Sequence, residues 1–244
     1  MMPSRIRFRA RTVAALLLAL LPLSSAVRLP TIRTSVASGG VVAKPLTRRA
    51  AEREAVKAEV RRRLAERGTG TYIGEMLAER DSALARWPDR SGRPLMVWIQ
   101  PASGVEDWSD GYVNSVRDAI ADWDALELPV RFAFATDSAS ADVHVTFIDQ
   151  FEEAISGRTK WERDDSWWIT DADIVLAVHH RNGPALDEDA MRALALHEVG
   201  HLLGLDHTED ATSIMAPRVR VRELSTADRA TVRLLYTLPP GGVR

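Results

Sequence analysis

The hydrophobic periodicity of this chain predicts an α+β fold with five strands, two long helices and a C-terminal helix, preceded by a helical N-terminal segment. Three observations carry that reading. Strand-type and helix-type runs are interleaved between residues 95 and 236. Apolar residues recur at helical spacing in the long runs and alternate or cluster in five short ones. The composition, 45% hydrophobic and 27% charged over 244 residues, is that of a globular chain with one good core plus an appendage, and it excludes global disorder.

The elements follow in order. Arg5, Arg7, Arg9 and Arg11 stand without any acid, an apolar run over 13–23 follows, and Ser24-Ser25-Ala26 closes it. That is the three-part plan of a secretory signal. The run is interrupted by Pro22 and falls well short of the roughly 20 residues that span a bilayer. Residues 1–26 are therefore expected to be a cleaved signal peptide, leaving no stable membrane anchor and a secreted or periplasmic product. Residues 27–43, small and polar with Gly39-Gly40, read as a linker. Residues 44–91 read as a helical N-terminal segment. Val56, Val60 and Leu64 lie along one narrow stripe of a helix over 46–67, which Gly68 and Gly70 stop, and a second helix is expected over 72–87. Pro88 and the turn-rich Asp89-Arg90-Ser91-Gly92 close it, and the main domain, 92–244, is expected to begin there.

Within that domain, strands are expected over 95–100, 130–135, 142–148, 158–162 and 173–178. The first two flank a helix over 109–126, with Val113, Val116, Ile120 and Trp123 at helical spacing. A second long helix over 187–203 opens with acids, as the helix dipole prefers. A last helix runs over 225–236 behind the N-cap Ser225.

Charge and composition narrow the chemistry. Lys and Arg number 32 against 34 Asp and Glu, so there is no basic excess of the kind nucleic-acid binding needs. The chain has no cysteine, which excludes disulfides, thiolate metal sites and a cysteine nucleophile. Any metal must sit on His, Asp or Glu.

The second long helix ends Ala195-Leu196-His197-Glu198-Val199-Gly200-His201-Leu202-Leu203-Gly204-Leu205-Asp206-His207. His197 and His201, four apart, project from one helical face and can bring two imidazole nitrogens to one cation, with Glu198 beside them. Burying two imidazoles and a carboxylate in so apolar a run costs several kcal/mol, of order 2–7, unless something satisfies them, and a metal does. Gly204 can take the left-handed conformation that ends a helix and returns His207 as a third ligand. Three neutral imidazoles leave zinc one position for water, the arrangement of a catalytic site.

This motif resembles that of the metzincin metallopeptidases. Eight residues after His207, Met215 within Ser213-Ile214-Met215-Ala216-Pro217 looks like the metzincin Met-turn. Thr208, the spacing to Met215, Pro217 and the stretch Leu224-Ser225-Thr226-Ala227-Asp228 are most similar to the matrixins, the matrix metalloproteinase family. The resemblance implies a zincin-like twisted mixed sheet with the active helix crossing the floor of a cleft. It also implies one catalytic Zn2+ on His197, His201 and His207, Glu198 as the general base, and a protein or peptide substrate lying along an edge strand at 158–162. A monomer is expected.

The chain departs from the pattern in two ways. No His-Gly-Asp stretch or calcium-loop sequence is present, so calcium is not expected. His144, His179 and His180 could in principle hold a second metal, but isolated strand or loop histidines are more often packed or solvated. Matrixins commonly stay latent through a propeptide cysteine, which this sequence lacks, and Asp81 is a candidate carboxylate in its place. Two other readings of the zinc site remain open here: a zinc hydrolase acting on a non-protein substrate, and a non-catalytic exported binding domain that keeps zinc for stability.

Overall fold

A computed structural model of the chain describes residues 45–80 and 82–243. The expected signal peptide and linker, and Asp81, lie outside the described residues.

The first helix, α1, spans Pro45–Arg67 and turns Val60 and Leu64 inward, while Val56 is exposed. Arg63 donates to the carbonyl of Thr237 and Arg61 to that of Val243, tying the helix to the C-terminal residues. The second helix, α2, is only Ile73–Glu79, shorter than the 72–87 expected from the pattern. Its remainder is extended because it pairs. Ser82 takes a positive φ of 63°, Ala83–Leu84 form a strand, β1, and Arg86 bridges to Trp168.

Strand β2 (Leu95–Ile99), helix α3 (Gly111–Asp124) and strand β3 (Phe132–Phe134) form a strand, helix, strand unit. Strands β4 (Val143–Ile148), β5 (Gly157–Arg163) and β6 (Ile169–Ala177) follow. The five make a mixed sheet of order β3-β2-β4-β6-β5, parallel except for β5, which runs antiparallel to β6 at one edge. A matrixin-type sheet has this mixed character, as the resemblance implied. Helix α4 (Glu188–Leu202), helix α5 (Thr226–Thr237) and a strand, β7 (Gly241–Gly242), complete the chain. β7 pairs antiparallel with β1 in a separate two-stranded ribbon.

Helix α4 is the centre of the packing. From Met191 to Leu202 all of its residues except Arg192 and His201 are buried, which is what a helix apolar on nearly every face requires. Its start is capped by Asp187, whose carboxylate accepts from the Ala190 N–H at 2.7 Å, with Glu188 and Asp189 in the first turn. α3 lies against it through Tyr112, Val116, Ile120 and Trp123, and the Trp123 indole N–H donates to the Leu196 carbonyl at 2.9 Å.

Across the expected boundary at 88–92 the core is continuous. The described residues form one compact unit, and Tyr72, Met76 and Trp87 belong to the same buried cluster as Leu95, Trp123 and Leu196. Trp87 is fully buried, and its indole N–H donates at 2.8 Å to the carbonyl of Leu202, at the end of α4. An N-terminal segment too poor in apolar residues to form its own core completes this one instead. Trp87→Ala is accordingly expected to destabilise the protein by about 3–5 kcal/mol, the usual cost of emptying a large aromatic site, as measured by urea unfolding. A chain beginning near Arg93 should show no cooperative unfolding transition, and a normal transition for that shortened chain would contradict this packing.

Candidate active site

Three local features bring the histidines together. The helix holds His197 and His201 one turn apart on one face. Beyond Leu202 the chain reverses at Gly204, where φ is +98° and an added Cβ would lie 2.3 Å from the Ala85 carbonyl oxygen. The Leu205 N–H donates back to the Gly200 carbonyl at 3.0 Å, closing the helix end. His207 thereby returns to the helix, and its Nε2 lies 3.3 Å from His201 Nε2, which is itself 3.1 Å from His197 Nε2.

Hydrogen bonds decide which nitrogens face inward. His197 Nδ1 lies 2.7 Å from the Ile214 carbonyl and His201 Nδ1 2.8 Å from that of Leu205. A carbonyl only accepts, so each Nδ1 carries the proton and each Nε2 presents a lone pair to the centre. Burial pushes His197 down to about 4 and His201 down to about 3, so both imidazoles are neutral at pH 7. Lone pairs this close repel unless a cation lies between them. Nitrogens about 2.0–2.1 Å from a tetrahedral zinc are about 3.3–3.4 Å apart, close to the spacing found here, so the donor set fits zinc. Among the described residues these three form the one group of side chains able to share a metal ion. His144 contacts the Ser138 carbonyl and Asp173, His179 sits between Asp149 and Asp107, and His180 contacts Ser156, so these histidines do not converge on a second site.

Glu198 lines the same cleft, which has a volume of about 1360 Å³. Its carboxylate accepts from the Thr159 hydroxyl at 2.7 Å, and burial pushes it up to about 7, with Thr159 acting in the opposite direction. Met215 is fully buried against α4. A Cβ added at Gly200 would lie 2.3 Å from the Met215 sulfur, so only glycine permits that approach.

Several supporting residues had no local signal in the sequence. The buried Asp228 carboxylate accepts from the N–H groups of Ile214 and Ser225 and from the hydroxyls of Ser213 and Tyr72. Ile214 thus donates to Asp228 through its N–H and accepts from His197 through its carbonyl. Arg80 donates to the Gly204 carbonyl and pairs with Asp206, next to His207, while lying over the Trp161 ring of β5. Glu75 accepts from the N–H of Glu209 on the other side of His207. Only tertiary structure joins these groups.

A long buried helix carrying two imidazoles, a returning third imidazole and a methionine beneath them, beside a mixed sheet with one antiparallel edge, defines a metzincin-type centre. Comparison with known proteins narrows it further: residues 149–237 match the family model for matrixin, peptidase family M10. Over those residues the chain is similar to the matrixins.

Metalloendoproteinase 1 of Glycine max is 32% identical over 88 residues, covering 34% of this chain and 27% of that protein. Metalloendoproteinase 5-MMP of Arabidopsis thaliana is 26% identical over 178 residues, 64% of this chain and 47% of its own length. Matrix metalloproteinase-16 of Homo sapiens is 35% identical over 63 residues, 26% of this chain and 8% of the relative. The chain thus spans less than half the length of each of these relatives.

The buried imidazoles generate a pH dependence. In protein stripped of metal by a chelator, the unfolded chain takes up protons on His197 and His201 near 6.5, while the folded chain resists them down to about 4 and about 3. Stability from these groups is therefore lost as pH falls through that window. Glu198 acts oppositely, because its folded carboxyl keeps a proton up to about 7 while the unfolded one loses it near 4.5. Two imidazoles outweigh one carboxyl, so the urea midpoint of chelated protein should fall from pH 6.5 to pH 4, and less steeply in His201→Asn. An equal slope in the two proteins would contradict the assignment.

Proposed function

We propose that this chain is an exported zinc-dependent endopeptidase. The observation that carries the reading is the buried Glu198 carboxylate, adjacent to His197 in sequence and oriented by Thr159 within a cleft that the three histidines also line. A site kept only for stability has no use for an unpaired buried base. The relatives named metalloendoproteinases and matrix metalloproteinases support peptide hydrolysis as the reaction.

The donor set fits zinc, and His197, His201 and His207 would hold it. When bound, zinc supplies Lewis acidity that polarises a scissile carbonyl and acidifies water. The rest falls to the chain. Glu198, with its carboxyl raised to about 7, is suited to accept the proton of the attacking water and pass it to the leaving amine. Thr159 holds one carboxylate oxygen, so that the base meets the water from a fixed direction. β5 is the edge strand of the sheet and lines the cleft, so its outer main-chain groups are available to an extended peptide. Such pairing is largely indifferent to sequence and suits a protein substrate.

Export rests on the Arg-rich, apolar and small-residue plan of residues 1–26. No helix among the described residues is long and apolar enough to cross a membrane. No cysteine among these 244 residues can supply a thiolate to the zinc site. Because Tyr72, Met76 and Trp87 belong to the core, we read residues 72–87 as a permanent part of the catalytic unit and not as a removable propeptide.

Glu198→Ala is expected to reduce kcat/KM on casein or a peptide by about 10²–10⁴-fold or more while zinc stays near one ion per chain, because the base is not a ligand. His201→Ala should lose both. A zinc-loaded wild type that cleaves no protein or peptide, yet hydrolyses another substrate in a chelator-sensitive way, would replace this reading with that of a hydrolase acting on non-protein substrates.

A further inference from the structure

The segment that leaves the Met-turn alternates. Val219 and Val221 are half-buried against the core, while Arg218, Arg220 and Arg222 are exposed, and all five line the cleft that holds the three histidines. The valines anchor the segment, and the alternation turns a row of guanidinium groups to solvent along one wall. β5 adds Arg158 and Lys160 to the same cleft.

The charges differ in whether the protein already neutralises them. Arg158 pairs with Glu153 and lies over the Phe151 ring, and Arg222 lies 3.0 Å from Asp189 and 3.8 Å from Asp187. Arg80 is held by Asp206. Arg218, Arg220 and Lys160 have no ion pair or side-chain hydrogen bond among the described residues. The acids of the cleft lie elsewhere. Glu198 is the base, Asp206 is taken by Arg80, Asp173 lies 3.4 Å from His144, and Glu162 and Asp171 are register partners near the end of β5. Residues 217–222 contribute no acid at all. Guanidinium groups are always charged and bind carboxylates through paired donors, so this wall offers two unneutralised forks to whatever lies in the cleft.

We propose that the wall at 218–222 selects acidic peptides: an Asp or Glu side chain of the substrate, on the side of the scissile bond lying over this segment, binds between Arg218 and Arg220. The inference rests on the peptidase reading above and adds the substrate class to it. The arginines are exposed, so the gain is modest and salt-dependent, about three- to tenfold in kcat/KM at low ionic strength and shrinking in high salt.

The test uses full-length zinc-loaded protein and matched fluorogenic peptides that carry Glu or Gln at one position at a time on either side of the cut. A Glu/Gln ratio of about three or more at one or two neighbouring positions is expected, falling toward one in R218Q/R220Q and below one in R220E. Anisotropy with the same peptides on Glu198→Ala protein reads binding without turnover, and should show the same ranking. A ratio near one at every position, or one unmoved by both arginine variants, overturns the proposal while leaving the peptidase reading intact. Absence of cleavage of every peptide by zinc-loaded protein overturns the peptidase reading. In that case, Glu-peptide binding lost in R218Q/R220Q would still support the acidic site, and its absence would overturn that too.

Discussion

Two hydrogen bonds, from His197 Nδ1 to the Ile214 carbonyl and from His201 Nδ1 to the Leu205 carbonyl, decide what the centre of this protein can bind. They keep both imidazoles in the tautomer that directs Nε2 inward and they fix the ring planes. The remainder of the domain can be understood as the means of holding those two carbonyls in place. The Leu205 carbonyl is placed by the reversal at Gly204, where the backbone packs against Ala85 and Arg80 grips the Gly204 carbonyl. The Ile214 carbonyl is placed by Asp228, which binds the N–H of the same residue from the start of α5.

The burial of Asp228 has a clear structural use. A carboxylate removed from water is costly unless its lone pairs are filled, and here two main-chain N–H groups and two hydroxyls fill them. Those four donors come from the Met-turn, the cap of α5 and the N-terminal segment, so one side chain joins three parts of the chain that are distant in sequence. Ser225 and Asp228 also form a reciprocal capping box, which sets where α5 begins. The N-terminal segment adds Tyr72 to this cluster, Glu75 and Arg80 to the flanks of His207, and Trp87 to the end of α4. It braces the loop that carries His207.

What was legible in the sequence follows from which forces are local. The long helices and the inner strands β2 and β4 announce themselves by period, and the spacing of His197, His201, Gly204 and His207 encodes the helix face and the return of the chain without reference to anything distant. β5 reads weakly because it is an edge strand with few apolar residues, and β6 begins at Ile169, before its apolar run, because Asp171 and Asp173 take the outward positions of the strand. The second helix is overestimated because its apolar residues Ala83, Leu84, Ala85 and Trp87 are buried in the common core and the β1–β7 ribbon, not on a helix face, and two-residue strands carry no period of their own. Thr159, Asp228 and Arg80 act on the site only through partners 14 to 126 positions away, so no window of sequence reveals them.

The central claim is that the Nε2 nitrogens of His197 and His201, held in this tautomer, and that of His207 define a single zinc centre with one coordination position left for water. X-ray absorption at the zinc edge on protein loaded with one equivalent of zinc tests it most directly. The account predicts a four-coordinate ion with three imidazole nitrogens and one oxygen at about 2.0–2.1 Å. A first shell with fewer than three imidazoles, or one closed by a fourth protein ligand, would contradict it.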